Sequence, residues 1–225
     1  MIKKLQALKA KKGFTLVELI VVIAIIGVLA AILVPTMLGM VTKSRVTSAN
    51  STAKSIQDTI NEFLTDADTN GYGLKTAATV HETQVIYVTT AGGTTTWTVP
   101  AFTATNFKGG SDIKWGTAAS VTSATTRTTG GTTADPAEKL LGMTLVARFP
   151  DMKNASIVVN LKGGMNCAAI AYTADASNAT DFPSSDYPAV GATFEFPTSF
   201  TWDGKTAGVS PTNGYIVGTA PVVGL

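Results

Sequence analysis

The sequence predicts an α+β protein in which the C-terminal half of a long, apolar N-terminal helix packs against an antiparallel β-sheet head. Three observations point there. Residues 14–41 form an apolar run interrupted only by Thr15, Glu18, Gly27, Pro35, Thr36 and Gly39. Val46, Ala49, Ala53, Ile56, Ile60 and Phe63 then recur at intervals of three and four, the period of a helix with one apolar face. Beyond about residue 69 the chain becomes rich in Thr and Gly around short apolar runs, the composition of strands and turns.

The length of 225 residues suits one globular unit with an appendage. Its net charge of +2 is set by Lys3, Lys4, Lys9, Lys11 and Lys12; without them twelve basic side chains face fifteen acidic ones. No nucleic-acid partner is therefore expected for the isolated head. Charged residues make up only 14% of the chain, which implies an uncharged, β-rich surface. A single cysteine, Cys167, excludes an internal disulfide, so the head must rely on its own core or on packing against neighbours. Cys167 itself reads as a small buried hydrophobe.

No ionisable side chain occurs between Glu18 and Lys43, and about 20 such residues span a bilayer as a helix. The lysines before the run orient it with its C-terminal bulk outward. A secretory signal peptide would end in a small-residue cleavage site after a shorter apolar stretch, whereas this run continues into Pro35. One helix over residues 14–66 follows, about 80 Å long at 1.5 Å per residue. Its first part, 14–41, must lie in lipid or among other copies, and its amphipathic part, 42–68, is where a head over 69–225 would pack.

Glu18 is the one charge in the run. A carboxylate in the first helical turn offsets the helix-start dipole and its free N–H groups. A cut between Gly13 and Phe14 would also create an α-ammonium one turn away, and between staggered chains a carboxylate and an ammonium can set axial register. Desolvation consumes much of the energy of such a pair, so register and specificity are what it best supplies.

The stretch KKGFTLVELIVVIAIIGVLAAILVP, residues 11–35, resembles the N-terminal signature of type IV prepilins and pseudopilins: a basic leader ending in Gly, then Phe, Thr-Leu-Val-Glu-Leu, a long apolar run and a proline. The resemblance implies removal of leader 1–13 by a membrane-embedded prepilin peptidase after Gly13 and N-methylation of Phe14. It further implies assembly through Glu18 into a homopolymeric filament driven by an assembly ATPase and a platform membrane protein. Such a precursor sits in the bacterial cytoplasmic or inner membrane and its product is extracellular. Many pilins of diderm bacteria pin the C-terminal part of the head with a disulfide, so this one-cysteine chain looks more like pilins of monoderm bacteria.

Gly27 and Pro35 weaken a helix, one by about 1 kcal/mol relative to Ala, the other by removing an N–H and crowding the Ala31 carbonyl. In the family the intervening helix can loosen on entry into the filament. A kink with a close helix contact at Ala24, Gly27 and Ala31 is the other reading.

In the head, strands are predicted over 84–89 and 94–99, joined at Gly92 and Gly93, and over 144–149, 156–161, 167–172, 192–196, 200–202 and 215–217. Asp203 and Gly204 read as a hairpin turn. Asp135 as a cap, with Pro136 at the first helical position, predicts one short helix, and residues 117–134 read as an exposed loop.

Asp66, Asp68, Asn70 and Gly71 spell the first half of a calcium loop, but the twelfth position is Ala77, not the usual glutamate, and no resident cofactor or metal is expected. The bland reading is a helix end where Asn70 and Gly71 turn the chain. Catalysis has little support: His81 is the only histidine, and no P-loop, H-E-x-x-H or paired-cysteine pattern occurs. Trp97, Trp115 and Trp202 suit core packing better than a sugar-binding face. The expected function is that of a pilus subunit, with a pseudopilin of a secretion or DNA-uptake machine and a minor adhesive pilin as alternatives.

Overall fold

The computed structural model describes residues 14–77, 79–123, 135–164, 166–174 and 216–220. It divides into two compact units, Met1–Ser44 and Arg45–Leu225. Helix α1, Leu16–Thr69, contributes to both, and the two units are described in turn.

The first unit contains the N-terminal part of α1. The helix starts at Leu16, two residues later than expected, because Thr15 is spent on capping it. By length and composition α1 could cross a membrane, its most apolar window having a mean hydropathy of 3.1.

In the second unit the head portion of α1 buries the predicted stripe: Val46, Ala49, Ala53, Ile56, Ile60 and Phe63 all lie in the core. α1 ends in a Schellman turn. Gly71, at φ 85°, donates its N–H to the Asp68 carbonyl at 3.1 Å, and Tyr72 donates to the Ala67 carbonyl at 2.9 Å. Tyr72 and Ala67 are themselves buried in the core.

The strands are β1 His81–Ala91, β2 Thr94–Val99, β3 Ala119–Val121, β4 Ala155–Lys162, β5 Asn166–Ala174 and β6 Val217–Ala220. They form one antiparallel sheet in the order β3-β2-β1-β4-β5-β6. Gly92 and Gly93, at φ 57° and 83°, close the β1–β2 hairpin between paired Ala91 and Thr94, as their sequence predicts. Ile86, Val88, Trp97, Val99, Ile157 and Val159 join the stripe of α1 in the core. Trp97 and Trp115 are buried, so neither offers a stacking face to a sugar.

Three expectations fail. Residues 144–148 are not a strand but the last turns of helix α2, Ala137–Arg148. Its apolar residues have no clean period of two, and Ala137, Leu141 and Leu145, four apart, are all buried on one face. Pro136 is the cap rather than the first helical residue, being extended at φ −63° and ψ 154°; Asp135 instead pairs with Lys139 at 2.6 Å. The loop expected over 117–134 contains β3, where Val121 pairs with Trp97 at the sheet edge. Strands expected over 192–196 and 200–202, the Asp203–Gly204 turn, Trp202, Tyr215, the leader 1–13 and the 124–134 part of that loop lie outside the described residues.

Polar side chains of α1 fasten it to the sheet. Gln57 Nε2 donates to the Cys167 carbonyl at 3.3 Å and Asn61 Oδ1 accepts the Cys167 N–H at 2.9 Å, so both backbone groups of that residue are satisfied from the helix. Asn50 Oδ1 accepts the Thr219 N–H of β6 at 2.8 Å. At Gly218 the backbones approach so closely that a Cβ would lie 2.0 Å from the Ala49 carbonyl carbon. Only glycine fits there.

Two buried carboxylates hold the chain between β2 and β3. Glu138 Oε1 accepts the N–H groups of Phe102, Gly116 and Thr117 at 3.1, 2.7 and 3.2 Å. Glu82 Oε1 accepts the Thr103 N–H at 3.1 Å, while its Oε2 accepts from Asn106 Nδ2 at 2.8 Å. Between these anchors Phe107 stacks on Trp115 at 4.0 Å, and Trp115 Nε1 donates to the Tyr72 carbonyl at 2.7 Å.

Candidate processing and assembly site

The residues expected to carry function cluster at the start of the first unit. Gly13 lies outside the described residues, and Phe14, next to it, is 87% exposed. Thr15 and Glu18 bond reciprocally. Glu18 Oε2 accepts the Thr15 N–H at 2.8 Å and the Thr15 hydroxyl at 2.7 Å, and Thr15 Oγ1 accepts the Glu18 N–H at 3.2 Å. This is a capping box, which satisfies donors that a helix start otherwise leaves open. The Leu19 N–H closes the first turn on the Thr15 carbonyl at 3.2 Å.

Both bonds to the carboxylate fall on Oε2. Among the described residues none falls on Oε1, which leaves one oxygen of the only acid in the run for a group from elsewhere. A reading centred on the charge of Glu18 misses Thr15; the T-x-x-E spacing is the signal that finds it.

Along the rod, large apolar side chains from Phe14 to Val41 are exposed. Covering a single Leu, Ile or Val contributes about 1.5–3 kcal/mol, so the run as a whole strongly favours lipid or other protein over water. Gly27 has nothing within 4 Å of where a Cβ would stand, so within one chain no contact requires a glycine there. Pro35 lies inside α1, which stays helical through it. Thr36 Oγ1 donates back to the Leu33 carbonyl at 2.9 Å and the Ile32 carbonyl at 3.3 Å, next to the turn where Pro35 supplies no N–H.

At the other expected site, Asn70 Nδ2 bonds the Asp66 carbonyl at 2.8 Å and the Asp66 carboxylate at 3.2 Å, and Asp68 pairs with Lys108. Asn70 and Gly71 turn the chain, as the bland reading has it. Among the described residues no three His, Cys, Asp or Glu side chains come together as a metal site.

A capped apolar rod with one acid in its first turn, joined in sequence to an antiparallel sheet head, is the architecture of a type IV pilin-like protein. The family profile described as "Prokaryotic N-terminal methylation motif" matches residues 8–34. Fimbrial protein EcpC of Eikenella corrodens is 38% identical over 91 residues, covering 37% of this chain and 58% of that protein. Fimbrial protein Q of Moraxella bovis is 39% identical over 87 residues, covering 39% and 54% respectively. The type IV major fimbrial protein FimA of Dichelobacter nodosus is 39% identical over 70 residues, covering 31% and 44%. The chain spans about half the length of these curated relatives. No solved structure matches it. Over part of its length the chain is thus similar to type IV fimbrial proteins, and residues 8–34 carry the N-terminal methylation motif. Nothing found supports the closer likeness to pilins of monoderm bacteria.

Proposed function

We propose that this chain is the structural subunit of a type IV pilus. It enters the membrane as a precursor, is cut by prepilin peptidase between Gly13 and Phe14, is N-methylated at Phe14, and is polymerised by an assembly ATPase and platform protein into a surface filament. It performs no chemistry of its own. One observation carries the reading: the single acid of an otherwise apolar, uncovered rod uses one oxygen to cap its own helix and keeps the other. That free oxygen receives the terminal ammonium of Phe14 from an adjoining copy, and the apolar flanks cover one another. The stretch of helix from Gly27 to Pro35 supplies the compliance that leaving the bilayer for the filament requires.

Mass spectrometry of material sheared from cells tests this. The expected result is an abundant chain beginning at N-methylated Phe14. Finding only the chain with Met1 in place, dispersed in the membrane fraction, defeats the proposal.

A further inference from the structure

Within the head unit, α1 and α2 leave between them a groove of about 550 Å³. Phe63, Leu140 and Met143 supply its apolar lining, Glu62 and Asp66 stand on the α1 wall, and Arg148 on the α2 wall. Glu62 has no hydrogen bond or ion pair among the described residues.

The chain itself offers a matching occupant. Among the described residues, the large apolar side chains that are exposed belong to 14–41. Only the C-terminal end of that run is followed by cations. Leu38, Val41 and Arg45, spaced by three and four, fall on one side of a helix, two apolar residues leading to a positive charge.

We propose that the groove seats residues 37–45 of a second copy, with Leu38 and Val41 against its apolar lining and Arg45 against Glu62 and Asp66. Burial supplies the attraction and the opposed charges select the seating, since Arg148 repels Arg45 from the α2 wall. This rests on the filament reading and adds to it a contact between the rod of one subunit and the head of another.

Filaments of the full chain carrying Val41→Cys together with Ala147→Cys, on the groove wall, provide the test. Mild oxidation is expected to give a ladder of multimers on a non-reducing gel, while each single variant, which also retains buried Cys167, stays monomeric. Arg45→Glu or Glu62→Arg alone is expected to lower filament yield several-fold, and the two together to restore it. Abundant filaments without a ladder overturn the contact and leave the filament reading standing. They overturn it equally when the thiol at 147 is open to a maleimide and when a foreign occupant shields it. If the unmodified chain forms no filaments, the filament reading falls and the contact falls with it.

Discussion

Thr15 and Glu18 cap each other: the hydroxyl of Thr15 accepts from the backbone of Glu18, and one oxygen of Glu18 accepts from both the backbone and the hydroxyl of Thr15. Helix initiation and the charge expected to direct assembly thus share one carboxylate, and substitutions can separate them.

Glu18→Gln keeps an N3 acceptor for the cap and discards the charge. It is expected to yield processed, membrane-held subunit and no filaments. Thr15→Val does the reverse, removing the hydroxyl while keeping the charge, and is expected to leave filaments in reduced amount. The two are compared by the mass of the mature chain and the yield of sheared filament. Filaments of ordinary abundance from Glu18→Gln would show that the charge sets nothing.

Gly13→Val, at the position before the expected cut, should leave the leader attached while insertion into the membrane persists. An intact-mass measurement on the membrane fraction reads this directly. A chain starting at Phe14 in that variant counts against the cut.

Gly218→Ala places a methyl group where the Ala49 carbonyl carbon lies 2.0 Å away. Overpacking against backbone costs about 1–3 kcal/mol, or more where neither chain can move. For a protein of this size the expected fall in melting temperature is about 3–10 °C, measured on the full chain in detergent.

Glu138→Leu leaves the N–H groups of Phe102, Gly116 and Thr117 without their acceptor, at about 1–3 kcal/mol for the buried Phe102 group and less for the other two, which water can reach. Glu138→Gln retains an acceptor oxygen and loses only the charge-assisted part. The expected order of melting temperatures is wild type, then Gln, then Leu. Equal melting of the two variants would deny the carboxylate its role in holding this segment.

Calcium added to the full chain in detergent should leave its melting temperature unchanged, because Asp68 is engaged by Lys108 and Asn70 by Asp66. A rise that saturates with calcium concentration would restore the metal reading of this loop.

The parts legible in the sequence are those governed by local spacing. The stripe from Val46 to Phe63 is buried as its period requires, the Gly92–Gly93 hairpin falls where two such glycines demand it, and α1 ends where Asn70 and Gly71 turn the chain. Thr15 was equally local, and a spacing rule finds it. The strand expected over 144–149 failed because a short apolar run does not declare its period, and the helix starting at Ala137 carried through it. What spacing cannot reach is the pairing of distant polar groups. Gln57 and Asn61 meet the backbone of Cys167 more than 100 positions away, and Glu138 reaches back to Phe102 across 36. Each of those polar residues, read alone, is a solvated one.

With Glu82 and Glu138 gathering the β2–β3 segment and a lone buried thiol at Cys167, the head owes none of its described fastenings to sulfur oxidation. Reductants that open cystine-stapled proteins therefore leave these fastenings intact.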